Sequence, residues 1–205
     1  MTLMAVVEGD TDIPVVAALA KSAGLPLIGA PIDMGGKTQL DLRLDGFNQA
    51  ARGSPWFVLR DLDQDAQCAP KYLRKIGFRP STWMAFRIAV REVEAWLMAD
   101  AQGLATFLHV PERRVPADPD AEADPTRTLV NLARGSTRQS IRKAIVPKPG
   151  GSAQVGPLYE ATIIEFAASH WSLDRACERS PSLERTRRAL ERLARRWERQ
   201  VGSTG

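Results

Sequence analysis

Three carboxylates stand where two strands should end. Glu8 closes the apolar run Leu3-Met4-Ala5-Val6-Val7 and is followed at once by Gly9. Asp61 and Asp63 follow Trp56-Phe57-Val58-Leu59-Arg60. Each run reads as a buried strand feeding a turn and a helix. In an extended chain, residues two apart face the same way, roughly 7 Å apart. Asp61 and Asp63 would then aim two carboxylates at one point. If the strands are parallel neighbours, Glu8 joins them at the carboxyl edge, where open α/β sheets place their ligands. Three carboxylates in one place repel, and a hard cation such as Mg²⁺ is the usual remedy. The chemistry would be phosphoryl transfer, with one or two ions of Mg²⁺ or Mn²⁺ polarising the phosphate. Taken singly, Asp61 and Asp63 have a plainer reading as helix caps, and Glu8 as a loop residue.

The segment Val6-Val7-Glu8-Gly9-Asp10-Thr11-Asp12, followed about fifty residues later by Leu59-Arg60-Asp61-Leu62-Asp63, resembles the TOPRIM domain. That domain occurs in topoisomerases, primases and the overcoming-lysogenization-defect (OLD) nucleases. Arg91-Glu92-Val93-Glu94-Ala95-Trp96-Leu97-Met98-Ala99-Asp100 is similar to the hallmark of a bacterial TOPRIM-like family classed as a domain of unknown function. Gly35-Gly36-Lys37-Thr38, Gly156-Pro157-Leu158-Tyr159-Glu160 and Ser180-Pro181-Ser182-Leu183 also resemble that family, so the likeness covers nearly the whole chain. It implies a Mg²⁺-dependent nuclease acting on DNA rather than RNA, with Glu8, Asp61 and Asp63 as metal ligands. Glu8 can also serve as general acid or base, as its TOPRIM counterpart does. The resemblance further implies a separately encoded partner ATPase and a role in anti-phage defence. Two alternatives stay open: a non-catalytic regulatory module of that ATPase, and a primase-like nucleotidyl transferase.

The composition narrows the chemistry. The two histidines, His109 and His170, and the two cysteines, Cys68 and Cys177, lie far apart and in no recognisable context. A zinc site or a histidine-dependent nucleophile is therefore not expected, and oxygen ligands are. So few cysteines suit a reducing cytoplasm. No apolar stretch approaches a membrane span, and no signal segment opens the chain. The net charge is +4 over 205 residues, and its location is informative. From Ser182 onward there are seven Arg and three Glu, a surplus of +4, so the rest of the chain balances. Glu184, Glu191 and Glu198 recur every seven residues, which suggests pairing with Arg188 and Arg195 at i+4. The same arginines could contact phosphates. Self-association into a homodimer is left open.

The elements that must position these residues alternate strand and helix through the first half. Strands are expected near 3–7, within 25–34 (broken by Pro26 and Pro31), and near 56–59 and 82–88, with helices near 13–23, 39–51, 65–76 and 91–108. That order implies an α/β, Rossmann-like parallel sheet of about four strands flanked by helices. The remainder reads as helical: 126–145, 158–169 and 183–201, separated by Pro-rich loops. The reading divides the chain into an α/β domain, 1–110, and a helical extension, 111–205, packed on it.

Several further residues belong to the same edge by this reading. Lys37 should follow the second strand and could contact a phosphate, although position 31 is proline where a full P-loop needs glycine. Asp12 and Asp65 could orient waters around the ligands, or simply start helices. Glu94 is the candidate for a second metal, with Glu92 as substitute; on a helix the two would flank opposite sides of the Val93-Trp96-Leu97 stripe. Arg91 could grip a phosphate bidentately or pair with Glu94. Trp96 reads as core. Lys148, in a Pro-Lys-Pro-Gly-Gly loop, is a weaker candidate for the late lysine of OLD nucleases.

Overall fold

The computed structural model describes residues 2–202. Four strands form one parallel sheet: β1 (Met4–Val7), β2 (Ile32–Asp33), β3 (Trp56–Asp61) and β4 (Met84–Ala89), in the order β2-β1-β3-β4. The first three connections carry α1 (Ile13–Ser22), α2 (Lys37–Ala50) and α3 (Ala69–Ile76). This is the α/β, Rossmann-like class expected from the alternation. Phe57, Val58 and Leu59 are all fully buried although consecutive side chains point to opposite faces. The sheet is therefore covered on both sides, which is why β3 reads as a continuous apolar run. On one face, Val6, Val58, Phe86 and Ile88 pack with Leu40 and Leu44 of α2 and Tyr72 of α3.

Three of the expected helices differ from those observed. The second strand, expected within 25–34 and broken by Pro26 and Pro31, is a single bridge, Leu3 to Leu27, and the two-residue β2. Pro26 and Pro31 have no amide to donate, so the segment cannot run as a ladder. The helix expected from 65 starts only at Ala69. The helix expected over 91–108 is two, α4 (Val93–Ala99) and α5 (Ala101–Leu108), and that over 126–145 is also two, α6 (Pro125–Arg134) and α7 (Gln139–Ile145). Two more helices, α8 (Tyr159–Ser169) and α9 (Leu173–Arg179), precede the long α10 (Pro181–Gly202); α9 carried no expectation.

The chain forms two compact units, one reaching to Val90 and resumed from Ser182, the other Arg91–Pro181. The division thus falls at 90 and 181 rather than at 110. In the first unit, α10 lays Leu183, Leu190, Leu193 and Ala194 inward. Trp197 meets Trp83 edge to face at 4.8 Å between ring centroids, and Thr186 Oγ1 accepts from Arg87 Nε at 3.3 Å. The basic helix is therefore part of the α/β unit. Among the described residues no helix is long and apolar enough to cross a membrane.

In the second unit, Asp100 explains the break between α4 and α5. Its φ and ψ are −82° and 72°, outside the helical region, and its fully buried carboxylate caps α5 by accepting from Gly103 N at 3.0 Å. The same carboxylate accepts from Ser172 N at 2.8 Å and from two nitrogens of Arg175 at 2.7 and 2.8 Å. A side chain at 103 would collide with that carboxylate, so glycine is required there. Burial disfavours the charge of Asp100, but the Arg175 guanidinium and the two amides outweigh it and hold its pKa below the usual carboxylate value. A depressed native pKa stabilises the fold above the ordinary carboxylate range, and that stability is lost as pH falls through the native value. Asp100→Asn is expected to lower stability at pH 7 by about 3 kcal/mol, and by progressively less below pH 4. Urea melts of both proteins across that range would show the gap closing; a constant gap would contradict the assignment.

Candidate functional site at the carboxyl edge of β1 and β3

Parallel register sets the site. Val6 lies beside Val58, so Glu8, one residue past β1, comes level with Arg60, and Asp61 ends β3 one step further on. Glu8 Oε2 accepts from the Asp61 backbone N–H at 3.2 Å. The glutamate thus takes the amide of the first aspartate directly. The third carboxylate arrives differently from the extended geometry expected. Leu62 is fully buried, its amide donating to Ala89 O at 3.0 Å, and the chain then turns, with Asp63 at φ 47°. Strand alternation ends at Asp61 because β3 has no ladder beyond it. Asp63 still acts on Glu8 through space and helps to raise the pKa of Glu8.

Lys37 reaches this edge as expected. Gly35 and Gly36 have φ of 63° and 115°, and Gly36 N donates to Glu8 O at 2.8 Å. That left-handed pair, strained for any side chain, brings α2 to begin beside Glu8. The Lys37 ammonium lies 2.7 Å from Asp63 Oδ2 and 3.4 Å from Asp65 Oδ1. Its hydrogen bond to Asp63 comes first among the causes that raise its pKa, so it stays charged.

Asp12 and Asp65 have definite structural duties. Asp12 Oδ2 accepts from Glu8 N at 3.1 Å and Gly9 N at 3.2 Å, reaching back over the turn that carries Glu8. It is buried, and desolvation, with the charges of Glu8 and Asp33 adding to it, pushes its pKa up to about 7. Asp65 bridges Lys37 and Arg60; burial works against its charge, but Arg60 and Lys37 hold its pKa down.

Arg60 is the residue that sequence reasoning missed. It sits in β3 with 2% exposure and donates to both oxygens of Asp41 at 2.8 and 2.9 Å and to Asp65 at 2.6 Å. It also donates to the Asp61 carbonyl and stacks over the Tyr72 ring at 4.4 Å. Burial opposes its charge, yet the carboxylates raise its pKa further. The signal was present: an arginine inside a buried parallel strand must find anionic partners. Asp41, on α2, carried no such signal.

Glu8 is half-buried, and desolvation is the main reason its pKa is raised. The Asp63 charge adds to this, while the Asp61 amide, Arg60 and Lys37 oppose it. The donors are all oxygen and carry more negative charge than Glu8 and Asp12 can hold at their ordinary pKa values. In kind they fit a hard divalent cation. Among the described residues, however, no three His, Cys, Asp or Glu side chains are placed as a ready metal group.

The remaining predicted residues belong elsewhere. Glu92, Glu94, Arg91 and Lys148 lie in the second unit. Glu92 is the cap before α4, in extended conformation, so helical spacing does not apply to it. Its carboxylate accepts from Thr126 N at 2.9 Å and Oγ1 at 2.8 Å. Glu94 is buried and accepts from Tyr159 OH at 3.2 Å. The two glutamates both act on Tyr159, whose pKa is raised by burial first and by Glu94 next. The expectation that they flank opposite sides of one helix is thus corrected. Arg91 adopts φ 66°, Trp96 is fully buried core, and Lys148 is exposed on the loop after α7. Arg188 pairs with Glu184 at 2.6 Å, and Arg195 faces Glu191 at 3.9 Å, both i+4, as the heptad spacing suggested.

No family profile, curated protein or solved structure matches the chain.

Proposed function

We propose that the edge formed by β1, α2 and β3 is the active site of a divalent-cation-dependent nuclease that hydrolyses DNA. The observation that carries this reading is the contact between Glu8 and Asp61, with Asp63 close enough to raise the proton affinity of Glu8. Asp61 and Asp63 would hold Mg²⁺ or Mn²⁺, which neutralises charge on the phosphate. Glu8, with its raised proton affinity, is suited to hold and deliver a proton at the leaving oxygen. Arg60, bonded to the Asp61 carbonyl, fixes the end of β3. Lys37 balances the acidic edge and would offer its ammonium to an incoming phosphate. The resemblance to OLD nucleases supports DNA as substrate and a separate ATPase as partner. Plasmid nicking by the purified chain with Mn²⁺, beside the Asp61→Ala/Asp63→Ala double variant, tests the reading; equal activity in both would sink it.

Lys37 also supports a second reading. Its ammonium already neutralises Asp63 and Asp65, as a built-in cation would in a non-catalytic module. The two readings separate on one variant. If the edge binds metal, Lys37→Ala should tighten Mn²⁺ binding about fivefold, since a half-exposed ion pair no longer competes. Calorimetric titration giving no Mn²⁺ heat in either protein would favour the module.

A further inference from the structure

Arginines on α10 fall into two sets. Arg187, Arg188 and Arg195 face glutamates one turn back. Arg185, Arg192, Arg196 and Arg199 are seven, eleven and fourteen residues apart from the first, which at 100° per residue keeps them on one stripe. All four are exposed, and over this span the helix rises about 21 Å. From β4, the half-buried Arg87 comes between them, its Nε held by Thr186.

Two adjoining grooves of about 430 and 350 Å³ share Arg87 and Phe86. Arg192, Arg195, Arg196 and Arg199 line the first, and Arg185 lines the second. Among the described residues no carboxylate lines either. Burial, then the charges of Arg185 and Arg192, lower the pKa of Arg87. A row of like charges around a half-buried arginine destabilises the fold unless an anion relieves it.

We propose that this groove between α10 and β4 is a nucleic-acid backbone site, in which Arg87, Arg185, Arg192, Arg196 and Arg199 take successive phosphates of one strand. Guanidinium forks match phosphate oxygens, and a stripe of this length fits a repeating anion. The lining also holds apolar residues, Met84 and Leu193 in the first groove and Leu73, Ile88 and Val90 in the second, so an acidic peptide is the competitor that the test separates; the row of arginines over about 21 Å favours the repeating anion. The Trp83 ring is engaged by Trp197 at its edge and by Arg196 at 4.9 Å, so no base stacking is expected there. Binding should therefore be salt-dependent and indifferent to sequence. The site stands without any chemistry at the Glu8 edge.

The test is fluorescence anisotropy of a labelled duplex with the full chain in EDTA, which excludes cleavage. Five phosphate contacts predict a log–log salt slope of about −4.5. Arg185→Ala/Arg192→Ala should weaken binding at least tenfold and reduce that slope by about 2. Arg43→Ala/Arg52→Ala removes the same charge from exposed positions elsewhere and should stay within twofold of wild type. The duplex should raise the melting temperature of wild type and not of the groove variant. Without ligand, the groove variant should melt no lower than wild type. Equal losses in both double variants, displacement of duplex by polyglutamate at equal charge, or no binding at low salt would each overturn the proposal. Duplex binding with no nicking in Mn²⁺ would instead condemn the nuclease reading and leave the groove standing.

Discussion

Asp61→Asn is expected to reduce Mn²⁺-dependent plasmid nicking by about a hundredfold or more, with the fold intact. The substitution keeps the volume of the side chain and removes its charge. It leaves the residue 61 backbone N–H in place, so Glu8 keeps its 3.2 Å contact and its position. What is lost is an anionic oxygen ligand; even the partners that merely orient ligands are worth ten- to a hundredfold. Asp63→Asn should act differently in one respect. Asp63 also balances Lys37, so its loss frees an ammonium beside Asp65 and Glu8 and lowers the proton affinity of Glu8. Single-turnover nicking against pH should therefore shift its alkaline limb downward for Asp63→Asn, on whatever activity remains, because the donor Glu8 then loses its proton at lower pH. Thermal melts serve as the control. Wild-type nicking by Asp61→Asn would remove the metal-ligand role, because no neutral amide substitutes for an anionic ligand at this level.

Arg60→Met is expected to lower stability by about 3 kcal/mol. Removing one partner of a buried ion pair leaves its carboxylates uncompensated, which commonly costs about 3–5 kcal/mol. The lower end applies because Asp41 is 37% exposed and water can take up part of its charge. Asp65 also retains Lys37. Adding Asp41→Ala to Arg60→Met should therefore recover about half of the loss, since the more dependent carboxylate is then gone. Denaturant midpoints of the single and double variants measure this directly. A strictly additive, larger loss in the double variant would mean that Asp41 stabilises the fold through something other than Arg60.

The same network shows what local pattern can and cannot reveal. The apolar runs that end at Val7 and in β3 are strands because both neighbours and both faces bury them, and such runs are visible without knowing the partners. The acidic residues after them fall at the carboxyl edge for the same reason. Heptad spacing of Glu184, Glu191 and Glu198 found the Arg188 and Arg195 pairs because helix geometry alone brings residues four apart together. Helix breaks were less legible. Asp100 interrupts a good helical pattern because its carboxylate is claimed by Ser172 and Arg175, more than seventy residues away. No window around residue 100 contains those partners.

By itself, then, the sequence determined the parallel α/β class, the strands that frame the edge, and the presence there of Glu8, Asp61 and Lys37, because each follows from local pattern and a fixed ladder. Only the tertiary structure decided which charge meets which. It set Lys37 on Asp63 and Asp65, gave Arg60 to Asp41, placed Glu92 and Glu94 around Thr126 and Tyr159, and aligned Arg87 with the arginine stripe of α10. Those pairings join residues distant in the chain, and burial makes each of them strong enough to override local preference.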